Sequence, residues 1–202
     1  MSLWRSGKPL VLASRSAPRR AMLEAAGIPI EVIVPDVDER AVEAAAGPRS
    51  PVEAAALLAC EKARAVACQR PYCLVAGADQ TLALENLRFD KPRDLAAARH
   101  QLKALGGQTH QLHSAVALAQ DGEILFTGTD TASLTMRNLS ESFLDRYMDA
   151  AGGAVLESVG AYQLEKLGIH LFERIEGDHF TILGLPLLKL LDFLRRHGSL
   201  AN

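Results

Sequence analysis

The stretch LVLASRSAPRR, residues 10–20, predicts a strand that leads directly into a helix. Its first four residues are apolar or small, as in a buried strand, and SRS is a polar turn. Ser16 is a favoured N-cap, and Pro18 is tolerated because the amide groups of a first helical turn lack intrahelical acceptors. Gly27 suits the end of that helix. The chain therefore begins with a β–α unit, which is typical of α/β proteins.

The turn between this strand and helix could hold a phosphate group. A strand that leads into a helix N-terminus presents free backbone N–H groups and the positive end of the helix dipole. The hydroxyls of Ser14 and Ser16 and the guanidinium groups of Arg19 and Arg20 add further donors there. The alternative is a solvated turn with surface arginines. The stretch by itself leaves both interpretations open.

Length and composition describe a globular chain of α/β size. It has 202 residues, of which 49% are hydrophobic, and a formal net charge of -2. With no excess of basic residues, a nucleic-acid polymer is not expected as a partner. No apolar run reaches the length of a signal peptide or a membrane span, which predicts a cytoplasmic protein without a membrane partner. The cysteines fit neither a zinc pattern nor a CxxC pair, and Cys60 and Cys68 are expected to be small core residues.

Carboxylates follow two of the predicted strands. Asp36, Asp38 and Glu39 come directly after the strand predicted at residues 28–35, and such a run of carboxylates could bind Mg²⁺. A solvated turn is the alternative, and it is the commoner use of such a run. Asp79 ends the continuous apolar run YCLVAGA, and ligands of α/β sheets gather at the carboxyl ends of strands. A turn-forming role is the alternative for Asp79 as well.

A lysine interrupts the apolar face of the next predicted helix. The residues SPVE, 50–53, form a capping box with proline at the first helical position, and the helix is expected to reach about Cys68. Helical spacing places Lys62 in the middle of a face of alanine, leucine and valine. Its side chain could extend to water along that face, or it could point into a site. If Lys62 serves a site and not the fold, methionine at this position should leave stability unchanged or higher.

The remaining pattern predicts alternating helices and strands. Helical spacing marks residues 94–105, residues 140–150 and a last helix that ends at Arg196, and alternation marks strands at 109–118, 123–136 and 169–175. Residues 82–84 and 88–89 indicate a short hairpin. No internal repeat and no clear linker interrupts this order.

Seven short motifs occur in an order that resembles the Maf family. They are LASRSAPRR (12–20), PDVDE (35–39), EKA (61–63), GADQ (77–80), DKP (90–92), GAY (160–162) and GLPL (184–187). Together they cover nearly the whole chain. The resemblance implies a nucleoside triphosphate pyrophosphatase, an activity of proteins once described as septum-formation inhibitors. In the implied reaction water attacks the α-phosphorus and releases a nucleoside monophosphate and pyrophosphate.

Within that family the chain looks closest to the branch that hydrolyses 7-methyl-GTP in a house-cleaning role. The two-residue gap between Ser16 and Arg19, the pair Asp79-Gln80 and the run LFERIEG at 171–177 support this likeness. The branch that acts on dTTP and UTP usually has threonine after the aspartate and a GIQG-like loop. This chain has glutamine and QLEK at those places.

Three residues are implied to set the base that is recognised, namely Pro18, Gln80 and Glu165. A carboxylate at 165 could accept hydrogen bonds from N1–H and N2–H₂ of guanine at once, whereas the carbonyl oxygens of uracil and thymine would repel it. The alternative is a surface glutamate in a loop. Ala17 is a departure, because many members have proline directly after the second serine.

The resemblance also implies roles for the charged residues of the motifs. A triphosphate carries about four negative charges, which in-line displacement requires to be positioned and neutralised by cations and a metal. The implied catalytic residues are Arg19, Lys62, Lys91 and Asp79, with Asp79 as the proton acceptor. The implied phosphate-binding residues are Ser14, Ser16 and Arg20. The implied ligands of Mg²⁺ or Mn²⁺ are Glu39 and Asp79.

The implied fold is a mixed α/β, Maf/ITPase-like single domain over residues 1–202. It would have an elongated twisted sheet flanked by helices and two lobes around a central cleft, and it would often form a homodimer. Two other functions remain open, a dTTP/UTP pyrophosphatase and a non-catalytic nucleotide-binding regulator of cell division. A P-loop NTPase is excluded, since GxxxxGK[ST] does not occur in the sequence.

Overall fold

The fold combines a sheet of seven strands with seven α-helices among residues 2–202, which this computed structural model describes. The strands are β1 (Leu10–Ala13), β2 (Ile30–Val32), β3 (Val75–Leu84), β4 (Leu87–Phe89), β5 (Thr109–Gln120), β6 (Glu123–Met136) and β7 (Phe172–Glu176). The helices are α1 (Ala17–Ala25), α2 (Glu39–Ala46), α3 (Pro51–Ala67), α4 (Leu95–Leu105), α5 (Glu141–Ala151), α6 (His179–Ile182) and α7 (Leu187–Arg196). Short 3-10 helices cover Gly152–Leu156, Val159–Ala161 and Leu167–Leu171.

The sheet is mixed, as the α/β pattern predicts. Its strand order is β2-β1-β3-β5-β6-β7, and β4 pairs with β3 outside this path. β1 runs parallel to both β2 and β3, whereas the pairs β3–β4 and β6–β7 are antiparallel. Parallel neighbours need a crossover, and α1 supplies the one between β1 and β2. The predicted class, a mixed sheet flanked by helices, is confirmed.

Side-chain caps start two helices where the sequence predicts them. The hydroxyl of Ser16 accepts a hydrogen bond from the backbone N–H of Arg19, and Pro18 lies in the first turn of α1. Ser50 and Glu53 form the predicted capping box at the start of α3. Caps of this kind satisfy amide groups that have no partner within the helix, so both helices begin next to their capping residue.

The chain divides into two compact units. The first contains residues 2–80, 114–130 and 179–202, and the second contains residues 81–113 and 131–178. In the second unit α4 packs against α5 and against the 3-10 helices that follow α5. The expectation of one domain over residues 1–202 stays a prediction. None of the helices of residues 2–202 is both long enough and apolar enough to cross a bilayer.

Strand β1 lies at the centre of the first unit and is buried on both faces. Leu10 and Leu12 pack in one apolar cluster with residues of α1 and α7. Val11 and Ala13 pack in a second cluster with residues of α3. Because successive side chains of a strand point to opposite faces, this alternation holds α1 and α3 on opposite sides of β1. The C-terminal end of β1 therefore leads into a well-supported turn.

Two predictions about the acidic residues are wrong in their local structure. Asp79 does not end its strand, because β3 continues to Leu84 and its last three residues pair with β4. Asp38 and Glu39 do not form a solvated turn. Asp38 is the N-cap of α2, where its carboxylate accepts a hydrogen bond from the backbone N–H of Ala41, and Glu39 is the first residue of that helix.

Two further predictions also differ from the structure. Cys68 is exposed and therefore is not a core residue, whereas Cys60 is partly buried and packs against the apolar cluster of β1 and α3, and Cys73 is buried. Cys68 follows the last turn of α3 and therefore lies beyond the buried face of the helix. The strand predicted from residue 169 begins at Phe172, because residues 167–171 form a 3-10 helix.

Candidate active site

A glycine in β3 allows α3 to approach the sheet closely enough to bring two functional side chains together. A Cβ atom at Gly77 would lie 2.3 Å from the carbonyl oxygen of Ala59 and 2.5 Å from the backbone nitrogen of Ala63. Real Cβ atoms do not approach backbone atoms so closely, so only glycine permits this packing. Lys62 lies on α3 beside this contact, and Asp79 lies two residues beyond Gly77 on β3.

Lys62 forms the centre of a charged cluster in the first unit. Its Nζ atom lies 2.5 Å from Oδ1 of Asp79 and 2.6 Å from Oε1 of Glu39. The side chains of Lys62 and Asp79 are only 11% and 12% exposed, whereas that of Glu39 is 51% exposed. The lysine that interrupts the apolar face of α3 therefore points at two carboxylates and does not extend freely to water.

Arg19 is fixed beside this cluster by backbone and hydroxyl oxygens. Its Nε donates to the carbonyl of Gly184 at 2.7 Å, and its Nη1 donates to the carbonyl of Ala78 at 2.8 Å and to Oγ of Ser14 at 3.2 Å. Ala78 directly precedes Asp79 on β3. The guanidinium group is thus held in one orientation at the same part of the sheet as the carboxylate.

The electrostatics of the site follow from burial and from these neighbours. Burial raises the pKa of Asp79, and the nearby charges of Lys62 and Arg19 oppose this rise without cancelling it. Burial lowers the pKa of the Arg19 guanidinium, while the charges of Asp79 and Glu39 act in the opposite direction. A carboxylate with a raised pKa accepts a proton more readily than an ordinary aspartate.

The first turn of α1 presents further polar groups. The Oγ of Ser14 accepts a hydrogen bond from the backbone N–H of Ser16 at 3.2 Å, and Ser14 is buried. Pro18 is partly buried in the same turn. Arg20 points elsewhere, because its Nε contacts the carboxylate of Glu24 at 2.9 Å in an exposed ion pair. Ser14, Ser16 and Arg19 therefore share one turn, whereas Arg20 is engaged on the surface of the helix.

The predicted metal ligands satisfy the chemistry of Mg²⁺ only in part. Within residues 2–202, no three side chains of the His, Cys, Asp and Glu types come together as a metal-binding group. Glu39 and Asp79 nevertheless both reach the same atom, Nζ of Lys62. Mg²⁺ is commonly bound by one or two carboxylates together with phosphate oxygens of a substrate and water. These two carboxylates fit such a shared site.

Gln80 makes contacts that the sequence does not predict. Its Nε2 lies 3.0 Å from Oγ of Ser114, 3.1 Å from the carbonyl oxygen of Thr181 and 3.0 Å from that of Ile182. Sequence reasoning missed Ser114, Thr181 and the carbonyl of Gly184 as neighbours of the site. The GLPL motif was the one available signal, since it contains Gly184.

Lys91 and Glu165 belong to the second unit. Both are exposed, Lys91 in the segment after β4 and Glu165 in the segment after the 3-10 helix Val159–Ala161. The segment with Glu165 borders a cavity of about 170 Å³ that is lined by Tyr147, Tyr162 and Lys166, among others. The roles of Lys91 and Glu165 stay predictions.

The fold and the site together define an α/β protein whose first unit carries a candidate anion-binding site with a basic carboxylate. Residues 9–197 match the family described as Maf-like protein. The chain belongs to the Maf family. The family inferred from the seven motifs is thereby confirmed, and the 7-methyl-GTP branch stays a prediction.

Two curated relatives match over almost the whole chain. A nucleoside triphosphate pyrophosphatase of Bradyrhizobium diazoefficiens is 55% identical over 201 residues and covers 100% of each chain. Another, of Paramagnetospirillum magneticum, is 55% identical over 192 residues, which is 94% of this chain and 99% of the relative. Among solved structures, the nucleoside-triphosphatase / dITP/XTP pyrophosphatase of Mycobacterium abscessus covers 95% of each chain at 16% identity, with a TM-score of 0.41. A likeness of that size carries no functional argument.

Proposed function

We propose that the protein is a nucleoside triphosphate pyrophosphatase, a hydrolase that releases a nucleoside monophosphate and pyrophosphate. The observation that carries this proposal is the contact of Lys62 with the buried Asp79, beside the fixed guanidinium group of Arg19. Two cations and a carboxylate at one place suit an anionic substrate that water attacks. The activity named for the two relatives supports the same reaction.

The proposed mechanism assigns a step to each group of the first unit. Asp79 accepts a proton from the water that attacks the α-phosphorus, since it is the buried carboxylate of the site. Arg19 and Lys62 neutralise phosphate oxygens in a fixed geometry, which stabilises the charge of the transition state. The hydroxyls of Ser14 and Ser16 donate to phosphate oxygens at the start of α1. Lys91 is proposed to add a further positive charge.

We propose Mg²⁺ or Mn²⁺ as the cofactor, held by Glu39 and Asp79. The support is that the two carboxylates lie close together, since each is within 2.6 Å of Nζ of Lys62. When bound, a divalent ion would withdraw charge from the phosphate oxygens and lower the pKa of a bound water.

The cytoplasm is the proposed location of the protein and a homodimer its proposed assembly.

The experiment measures pyrophosphate release from a panel of nucleoside triphosphates with Mg²⁺ or Mn²⁺. The wild type should turn over at least one of them, and Asp79→Asn should lose ~10²–10⁴-fold in kcat, because the proton acceptor is removed while the shape is kept. Asp192→Asn is the matched control, since Asp192 pairs with Arg196 on the surface of α7. Near-normal turnover by Asp79→Asn would remove Asp79 from the mechanism. Binding without turnover by the wild type would favour a non-catalytic nucleotide sensor.

We further propose that the substrate is 7-methyl-GTP. The support is the exposed carboxylate of Glu165, which could accept both N–H donors of the guanine edge. Methylation at N7 makes the N1 proton more acidic, so the same carboxylate should bind the methylated base more strongly. Pro18 stays a proposed specificity residue.

The base preference is tested by kcat/KM for 7-methyl-GTP, GTP, dTTP and UTP. We expect a guanine preference that falls by ~10-fold or more in Glu165→Gln, which corresponds to about 1.4 kcal/mol of lost discrimination. Glu123→Gln serves as the control because Glu123 is an exposed carboxylate at the start of β6. A wild-type preference for dTTP or UTP would instead support the pyrimidine-specific alternative.

A further inference from the structure

The amide nitrogen of Gln80 has hydrogen-bond partners inside the first unit. Its Nε2 carries two hydrogens and lies within 3.1 Å of three oxygens, those of Ser114 Oγ, Thr181 and Ile182. Because side chains alternate along a strand, Gln80 points to the face opposite Asp79. The N–H donors of this amide already have acceptors within the protein. A hydrogen bond to a nucleotide base would therefore add little binding energy.

Two of these oxygens, the carbonyls of Thr181 and Ile182, belong to the turn of residues 181–184, which begins at the end of α6, whereas Oγ of Ser114 lies on β5. The carbonyl of Thr181 also accepts a hydrogen bond from Oγ of Ser114 at 2.7 Å and from the backbone N–H of Gly184 at 3.0 Å. Ser114 and Thr181 are both completely buried. The turn is thus attached to β3 and β5 by buried side-chain hydrogen bonds as well as by its own backbone.

Gly184, at the end of this turn, fixes the guanidinium group of Arg19. Its carbonyl accepts from Nε of Arg19 at 2.7 Å. The residue has a φ of +95°, a backbone conformation that favours glycine, and a Cβ atom there would lie 3.3 Å from both Nε and Nη2, a tight contact. Nη1 of Arg19 returns to β3 through the carbonyl of Ala78.

These contacts form a closed chain that starts and ends on β3. We propose that Gln80 is a positioning residue for Arg19, acting through the turn of residues 181–184, and that it does not read the base. Gln80 holds the turn, the turn presents the Gly184 carbonyl, and that carbonyl orients the guanidinium group beside Asp79. The catalytic consequence rests on the proposed pyrophosphatase function, whereas the orientation of Arg19 does not.

The first test does not depend on enzymatic activity. It measures hydrogen exchange at Nε–H of Arg19 by NMR, and the resonance is assigned by its disappearance in Arg19→Lys. In Gln80→Met, which keeps the length of the side chain and removes its donors, exchange should accelerate roughly 5- to 10-fold, the scale of one lost hydrogen bond. Ser114→Ala removes a neighbouring donor to the same carbonyl and should act in the same direction. Gln69→Met, at an exposed position after α3, is the control and should change nothing. Unchanged exchange in both Gln80→Met and Ser114→Ala would overturn the proposal.

The second test is a double-mutant cycle on kcat/KM across the four nucleotides. Gln80→Met should lower kcat/KM about equally for every base, and its effect should vanish in an Arg19→Ala background, since both changes remove the same interaction. A changed ratio between bases would assign Gln80 to specificity and overturn the proposal. If Gln80→Met lowers kcat/KM equally in the wild-type and Arg19→Ala backgrounds, Gln80 has only a structural role and the proposal is overturned. If the wild type has no turnover, the pyrophosphatase proposal fails while the exchange measurement still decides the role of Gln80.

Discussion

Lys62 shows how far a sequence pattern can predict a single residue. A charge in the middle of an apolar helix face predicts either a side chain that extends to water or a site, and the structure gives it two carboxylate neighbours. Its partners lie 23 positions before it and 17 after it in the chain, so no local pattern identifies them. The same contact changes the stability that we expect for variants of Lys62, because the carboxylate of Asp79 is buried and Lys62 neutralises it.

We predict that Lys62→Met destabilises the protein, although the apolar face alone suggests the opposite. The substitution leaves the buried Asp79 without its nearest cation, at a cost on the order of 3 kcal/mol, the low end for a broken buried pair because Arg19 and some solvent remain nearby. Urea unfolding at neutral pH measures the loss. In the double variant Lys62→Met/Asp79→Asn most of it should return, since the carboxylate that Lys62 neutralises is then absent as well. A Lys62→Met protein as stable as the wild type would show that the pair contributes nothing to the fold.

At the scale of elements, the starts of helices could be predicted and the extent of strands could not. A cap such as Ser16 or Ser50 acts on amide groups only three residues away. A short stretch of sequence is therefore enough to predict where the helix begins. The extension of β3 beyond Asp79 depends on pairing with β4, and the turn at Gly184 depends on β3 and β5. Neither dependence is visible in a local pattern, which is why the role of Gln80 emerges only from the structure.

A second feature at this scale is the contact of His110, at the start of β5, with Tyr162, which follows the 3-10 helix Val159–Ala161; both residues lie in the second unit. His110 is completely buried, and its Nε2 lies 2.8 Å from the hydroxyl of Tyr162, while its Nδ1 has no hydrogen-bond partner among residues 2–202. Phe172 packs against both rings. Burial lowers the pKa of His110 to about 4. The folded protein therefore holds this imidazole neutral through the mildly acidic range.

This burial predicts an acid sensitivity that originates at His110. In the unfolded chain the imidazole titrates near its ordinary pKa of 6.5, so the unfolded state binds the proton first. The contribution to stability is fully present above about pH 6.5 and is lost as the pH falls toward about 4, by an amount on the order of 3 kcal/mol. The measurement is urea unfolding of the wild type and of His110→Gln at pH 7.5 and 4.5. We expect the variant to lose less stability on acidification; equal losses would contradict a neutral buried imidazole.

For the whole molecule, the sequence predicted the family and the class of fold better than the arrangement of the site. Seven motifs in order identify the Maf family, and the mixed sheet follows from the alternation of strands and helices. Of the predicted site residues, Ser14, Ser16, Arg19, Lys62, Asp79 and Glu39 come together within the first unit. Arg20 instead pairs with Glu24 on the surface. The base assignment depends on Glu165 and stays a prediction.

The central claim is that water attacks the α-phosphorus of a nucleoside triphosphate. Hydrolysis in ¹⁸O-labelled water followed by mass spectrometry of the products tests it most directly, because the oxygen of the attacking water stays on the phosphorus that it attacks. The account predicts that the label appears in the nucleoside monophosphate and that the released pyrophosphate is unlabelled. Label in pyrophosphate or in inorganic phosphate, with the monophosphate or diphosphate unlabelled, would contradict it.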